Sequence, residues 1–571
     1  MSSKNAGVVI VSPNGYDMVC TYWGLRRCAE ILAANGFPVL RFDLHGTGDS
    51  PGDDHQPGRV DDWLDSIANA IDFLKEQSGV TTTVLLGVRL GGTLAAVAGT
   101  PRDDIAGLIL YAPCVGGRQY VREIKALAAG IRDAGDPDAE SGGTNDVIMA
   151  GWLLTEQTVN DLGRLDISKL NYKGKPVLYI HRSDVNADQK LVDALQSSAL
   201  DPVVRASTDY AGFAQDAIFA KEPVNDFKFM TEWLLSMRIS GGASMGDALK
   251  SGSGYQTELT HPDYTEEPVQ IGKDGSMFGI YCKPVRRQSE LCIVFASTGA
   301  IHRIGSHRMT VDHARKLASL GISSLRLDVS GVGDSPAREG LKPNQIYSPQ
   351  QVRDVTEAID AVVQRGFGGV LVSGICSGAY IAYNAAVKDP RVKILTVVNL
   401  WRFIWRDADN VGTQSELSAA SMESYVQKMA QLKTWQRLLA GKINLRYLTR
   451  AISARVVKIY KSKIRELIYA IFHPGKTANP VRRDCVALLK RGALIEMLYS
   501  RGDGGMDEVA LYLGSRGKAL SKYPGFSFHE IQGADHTFTT KKARSALFDT
   551  YVAAIRKYEQ QSKHKAAVPG A

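Results

Sequence analysis

Residues Gly369-Val-Leu-Val-Ser-Gly-Ile-Cys-Ser-Gly-Ala-Tyr-Ile-Ala382 decide how this 571-residue chain is read. Gly369–Ser373 is a continuous apolar run of the kind that forms a strand buried on both faces, and Ala379–Val387 is helix-forming. Between them stands Gly374-Ile-Cys376-Ser-Gly378, the spacing G-x-C-x-G. Two glycines at that spacing relieve crowding around a tight strand-to-helix turn that lifts its central side chain above the sheet. The helix N-terminus behind the turn favours negative charge, so the position suits a thiolate. A lone cysteine between glycines is more often a small buried residue, and the surrounding pattern has to carry the chemical reading.

That pattern repeats. Arg326-Leu-Asp-Val-Ser-Gly-Val-Gly-Asp-Ser-Pro336 recurs from Arg41-Phe-Asp-Leu-His-Gly-Thr-Gly-Asp-Ser-Pro51 at an offset of 285 positions, and the same offset aligns Ala314–Gly321 with Ala29–Gly36. A repeat of this length means two copies of one folding unit. In the first copy, strands are predicted at Val8–Val11, Pro38–Phe42 and Thr82–Leu86, with helices over Arg27–Asn35 and Asp62–Gln77. The second copy predicts strands at Cys292–Phe295, Ser323–Leu327 and Gly369–Ser373, with helices over Asp312–Leu320 and Pro349–Gln364. Continuous apolar strands alternating with helices imply an α/β fold with mostly parallel sheets, twice over. The expected domains are residues 1–245 and 255–571, joined by the Gly- and Ser-rich stretch Ser240–Ser253. Segments Thr265–Val269 and Met277–Cys282 predict an antiparallel hairpin that the first copy lacks.

Composition narrows the class. A hydrophobic fraction of 44% with 22% charged residues describes ordinary globular protein. No apolar run reaches the roughly 20 residues that cross a bilayer, and no leader-like stretch precedes Val8, so a cytoplasmic protein is expected. Seven cysteines without a CxxC pair fit reduced thiols and provide no metal-ligand set. Neither a metal nor a cofactor is expected.

The strand-turn-helix around Cys376, and its repeat, resemble the α/β-hydrolase superfamily over nearly all of both copies. Members carry a nucleophile at this turn, an acid after a later strand and a histidine after the last strand, in that chain order. Asp503, in Ser500-Arg-Gly-Asp-Gly-Gly after the apolar run Ala493–Tyr499, matches the acid, with Asp507 as the second candidate. His536, in Gly533-Ala-Asp-His-Thr-Phe, matches the histidine. The resemblance implies that Cys376 attacks an acyl carbon, His536 moves its proton and Asp503 orients the imidazole. Oxyanion donors would be the Ser377 N–H and the loop Thr298-Gly299-Ala300. His302 and His307, close to that loop, either line the pocket or face solvent. Dienelactone hydrolases and polyhydroxyalkanoate synthases use the same cysteine-bearing turn.

In the first copy the turn reads Gly87-Val-Arg-Leu-Gly91, so Arg89 occupies the nucleophile position. A guanidinium is neither a nucleophile nor a proton shuttle at neutral pH. An acid remains at Asp184, and Gln215 stands at the expected histidine position. This copy reads as catalytically silent, with Arg89 either paired to Asp184 across the old site or holding an anionic ligand.

Charge is concentrated. Between Lys428 and Arg483 there are fourteen Lys or Arg and one acid, Glu466, against a net charge of +8 for the whole chain. This stretch lies in a long insertion, residues 401–488, which the resemblance makes a helical cap over the site. Its basic face suits an anionic acyl substrate such as acyl-CoA, an acidic saccharide, or peripheral contact with an anionic membrane. Nucleic acid is not expected, because no binding module accompanies the charge. The expected activity is hydrolysis of ester or thioester bonds through a cysteine acyl-enzyme. The alternatives are acyl transfer to a sugar, alcohol or amine, and a non-catalytic scaffold.

Overall fold

The computed structural model describes residues 6–135, 145–237, 257–296, 298–406 and 478–567. The chain divides into two compact units, Met1–Leu259 and Thr260–Ala571.

The sheet of the first unit is built from β1 (Ala6–Val11), β2 (Val39–Phe42), β3 (Thr82–Val88) and β4 (Ile105–Tyr111), with β7 (Pro176–His181) and β8 (Leu200–Ala206) beyond them. Its order is β2-β1-β3-β4-β7-β8, and every pairing is parallel. A small antiparallel hairpin, β5 (Val147–Met149) with β6 (Trp152–Leu154), stands apart. All six residues of β1 are buried, as a strand covered by helices on both faces requires. The cover comes from α1 (Tyr16–Ala34), α2 (Arg59–Ser78), α3 (Leu90–Gly99), α4 (Gly117–Gly135), α5 (Glu156–Leu162), α6 (Gln189–Ser198), α7 (Tyr210–Phe213) and α8 (Val224–Ser236). Helix α1 begins at Tyr16, well before the predicted Arg27. Its N-cap is Gly15, with no side-chain cap, so the usual Ser, Thr or Asp start signal is missing.

The second unit repeats the order. Strands β12 (Leu291–Phe295), β13 (Ser323–Leu327), β14 (Gly369–Ile375), β15 (Val392–Val398), β16 (Leu494–Ser500) and β17 (Phe526–Ile531) form the parallel part of a nine-stranded sheet. The full order is β17-β16-β15-β14-β12-β13-β11-β10-β9. Here β10 (Tyr264–Ile271) and β11 (Met277–Pro284) form an antiparallel hairpin on the β13 edge, ending in the short β9 (Leu259–Thr260). Helices α9 (Met309–Ser319), α10 (Pro349–Gln364), α11 (Ser377–Lys388), α12 (Pro480–Lys490), α13 (Gly505–Leu513) and α14 (Lys541–Ala567) complete it. Helix α10 starts on a capping box from Ser348 and Gln351, with Pro349 in its first turn.

The expected linker Ser240–Ser253, and residues 407–477 of the expected cap with most of its basic charge, lie outside the described residues. No helix among the described residues is long and apolar enough to cross a membrane.

Candidate active site

The β14–α11 turn places Cys376 at φ 53° and ψ −114°, a backbone conformation that costs a side-chain-bearing residue energy and persists only where its surroundings enforce it. Two contacts enforce it. The Cys376 N–H donates to the Val398 carbonyl at 3.0 Å, and a Cβ added to Gly374 would lie 2.2 Å from the Gly378 backbone. Only glycine lets strand and helix approach so closely. Among the seven cysteines, Cys376 alone is not buried. Burial pushes the thiols of Cys20, Cys28, Cys114, Cys282 and Cys485 up to about 12, which makes them poor nucleophiles at neutral pH.

The loop after β17 brings in His536, whose Nδ1 lies 2.7 Å from Asp503 Oδ2. Asp503 is buried at the foot of α13, where its other carboxylate oxygen accepts the Gly505 N–H at 2.8 Å and Trp401 Nε1–H at 3.2 Å. Those two donors aim the carboxylate, and Asp507 on the same helix does not take this place. His536 Nε2 is buried, and the imidazole interacts with Cys376. Burial disfavours the imidazolium, but interaction with Cys376 and the hydrogen bond donated to Asp503 outweigh it and push the His536 pKa up to about 10. The histidine loop is itself pinned: buried Asn399 donates to the His536 carbonyl at 2.7 Å, and Ser500 Oγ to the Asp535 carbonyl at 2.6 Å. The Trp401 ring packs against the imidazole, with centroids 4.4 Å apart.

Of the expected oxyanion donors, Ser377 opens α11, where helix geometry leaves its N–H without an intrahelical acceptor. The Gly299 N–H is different, because it donates to Ser377 Oγ at 2.9 Å. Thr298 and Ala300 flank it, both buried, with Ala300 at φ 61°. His302 and His307 are buried rather than exposed.

In the first unit Arg89 repeats the conformation of Cys376, at φ 52° and ψ −123°, and its N–H donates to the Tyr111 carbonyl at 3.0 Å. Its guanidinium does not pair with Asp184. It reaches Glu123 Oε1 at 2.6 Å and Asp17 Oδ2 at 3.4 Å, while Asp184 is bonded by Arg182 and mostly exposed. The correction has a simple cause: Asp17 lies in the first turn of α1 and Glu123 lies on α4, so both reach the turn from helices, whereas Asp184 is mostly exposed. Gln215 is exposed, and the guanidinium's partners are Glu123 and Asp17.

Residues 5–152 match the family described as Serine aminopeptidase, S33. The α/β architecture, with its mostly parallel sheets, is consistent with an α/β hydrolase. The matched α/β-hydrolase stretch lies in the first unit and contains Arg89. Solved structures similar to the chain include Est1E from Butyrivibrio proteoclasticus with ferulic acid bound, at 17% identity, 41% of this chain, 90% of that one and TM-score 0.30. Proline iminopeptidase from Mycobacterium smegmatis is similar at 13% identity, 52% and 99% coverage and TM-score 0.30. Carboxyl esterase 2 from Tuber melanosporum is similar at 13% identity, 53% and 90% coverage and TM-score 0.32. A comparison with curated proteins found no match. Trp401 and Asn399 escaped the sequence reading, because neither belongs to a spaced motif and each meets a partner far along the chain.

Proposed function

We propose that the second unit is a cysteine-dependent acyl hydrolase acting on ester or thioester bonds. One observation carries the reading: the only cysteine that is not buried sits on a strained strand-to-helix turn, coupled to a histidine whose far nitrogen is held by a buried carboxylate. In the first step His536 takes the Cys376 proton at Nε2. Cys376 Sγ adds to the acyl carbon, the tetrahedral adduct collapses, and His536 gives its Nε2 proton to the leaving oxygen or sulfur. Neutral His536 then takes a proton from water as that water attacks the thioester, which regenerates Cys376. Asp503 keeps the imidazole in the tautomer and orientation both steps need.

The first unit, in this reading, is a duplicated copy without chemistry. Arg89 fills the nucleophile position and is neutralised by Asp17 and Glu123, so neither a reactive atom nor a free anion site remains there.

Incubation with p-nitrophenyl butyrate, followed by intact-mass analysis and peptide mapping, tests both statements. The expected result is one butyryl adduct, on Cys376, absent from Cys376→Ala and His536→Ala. Undiminished turnover by Cys376→Ala would sink the cysteine mechanism. Product analysis with added alcohols or amines separates release to water from transfer.

A further inference from the structure

The loop preceding α10 brings a phenol to the candidate nucleophile: Tyr347 Oη lies 3.8 Å from Cys376 Sγ. That is long for a hydrogen bond to sulfur. The oxygen of an acyl group attached to the sulfur, lying beside the line that joins the two atoms, comes within hydrogen-bond reach of the phenol. The oxyanion loop, meanwhile, has committed one of its amides, since the Gly299 N–H is taken by Ser377 Oγ.

We propose that Tyr347 is a catalytic residue of this site, its hydroxyl donating a hydrogen bond to the oxyanion that forms when Cys376 adds to an acyl carbonyl. The proposal rests on Cys376 being the nucleophile. In the step, Sγ bonds to the carbonyl carbon and the carbon–oxygen π pair moves onto oxygen, beside the Ser377 N–H and the Tyr347 O–H. Tyr347 keeps its proton throughout. When the pair returns, the bond to the leaving group breaks and the leaving atom takes its proton from His536.

Oxyanion stabilisation depends on donors that are fixed before the reaction, and Tyr347 is fixed. It is 4% exposed and held at φ 61°. Its ring stacks on Trp405 with centroids 4.2 Å apart and planes within 5°, and meets the Tyr380 ring edge-on at 5.3 Å. The supporting loop is tied by Asn344 N–H to the Gly331 carbonyl at 2.9 Å and by Gln351 Nε2 to the Gln345 carbonyl at 2.7 Å. Burial and the neighbouring Cys376 charge also push the phenol pKa well above its ordinary value, so the group remains a donor when the oxyanion appears. The first unit provides a control. Tyr347 stands two residues before Pro349, the first residue of α10, and the residue two before Arg59, the first of α2, is Pro57. The unit with Arg89 at its turn has no hydroxyl there.

Two reagents separate the roles of thiolate and oxyanion. Iodoacetamide alkylation needs the thiolate but forms no oxyanion, whereas acylation by p-nitrophenyl butyrate forms one. Tyr347→Phe keeps the aromatic stack and should lower the acylation rate about 10²–10³-fold, the usual cost of removing one oxyanion donor. Alkylation of Cys376 should stay within about twofold. Equal losses in both reactions would mean that the phenol only holds the thiol or the fold, and unchanged acylation would mean that the Ser377 and Ala300 amides suffice; either overturns the proposal. A measurement on the native protein stands if the variant does not fold. In a crystal of the butyryl-enzyme, the carbonyl oxygen should lie about 3 Å from Tyr347 Oη, and an oxygen turned away from it would refute the assignment. Retained turnover by Cys376→Ala would instead remove the nucleophile reading on which all of this stands.

Discussion

The turns carrying Cys376 and Arg89 have nearly the same backbone, φ 53° and ψ −114° against φ 52° and ψ −123°, and the same amide bond to the next strand. Their surroundings share almost nothing. Cys376 adjoins Tyr347 and His536, and His536 is bonded in turn to Asp503, whereas Arg89 is locked between Asp17 and Glu123. Backbone strain at a strand-to-helix turn is therefore a property of the architecture, imposed by glycines and close helix packing, and it persists where no nucleophile is present. Reactivity has to be argued from what surrounds the turn.

The largest test of this contrast exchanges the side chains. Cys376→Ala and His536→Ala should abolish acylation by p-nitrophenyl butyrate, and Arg89→Cys should not create a second acylation site, since Gln215 stands at the expected histidine position and the Asp17 and Glu123 carboxylates disfavour a thiolate. An adduct on the introduced thiol of that variant would break the comparison. Asp503→Asn should lower the acylation rate about 10⁴-fold while the protein stays folded, because the amide supports the wrong imidazole tautomer. An Asp507→Asn variant with the larger loss would reassign the acid.

Glycine substitutions probe what the two turns share. A Cβ at Gly374 or at Gly87 would sit 2.2 or 2.4 Å from backbone atoms of the following helix. Gly374→Ala and Gly87→Ala should each destabilise their own unit by about 3 kcal/mol or more, since backbone cannot yield as a side chain does. Denaturant unfolding followed by a probe in each unit measures both, and a silent Gly87→Ala would show that the first turn no longer needs its strain.

Arg89→Met leaves Asp17 without its charged partner and should cost about 1–3 kcal/mol in denaturant unfolding. Glu123 keeps Arg182 nearby, at 3.7 Å, and is partly exposed, which limits the loss. No loss would mean that the guanidinium contributes nothing to the fold. The mildest test is pH. The His536 pKa is raised in the folded state, so its stabilising contribution is complete below the ordinary histidine value of about 6.5 and is lost as pH rises through about 10. Between pH 7 and 10 the wild type should lose stability relative to Cys376→Ala, in which the main source of that shift is gone. Parallel pH curves would show that Cys376 does not raise the His536 pKa.

What could be read without coordinates were features written in consecutive residues: the repeat from Arg41 at Arg326, the apolar strands, the glycines around Cys376, and the chain order of Cys376, Asp503 and His536. Periodicity and turn chemistry are local, so they survive in one dimension. Tertiary structure alone decided which groups meet. It directed Asp503 to His536, turned Arg89 toward Asp17 and Glu123 and away from Asp184, tied the Gly299 N–H to Ser377 Oγ, and set the Tyr347 hydroxyl against Cys376. Each of these contacts joins residues separated by tens of positions or more. Hydrogen bonds and ion pairs are decided by tenths of an ångström and by the direction of approach, and residue spacing encodes neither.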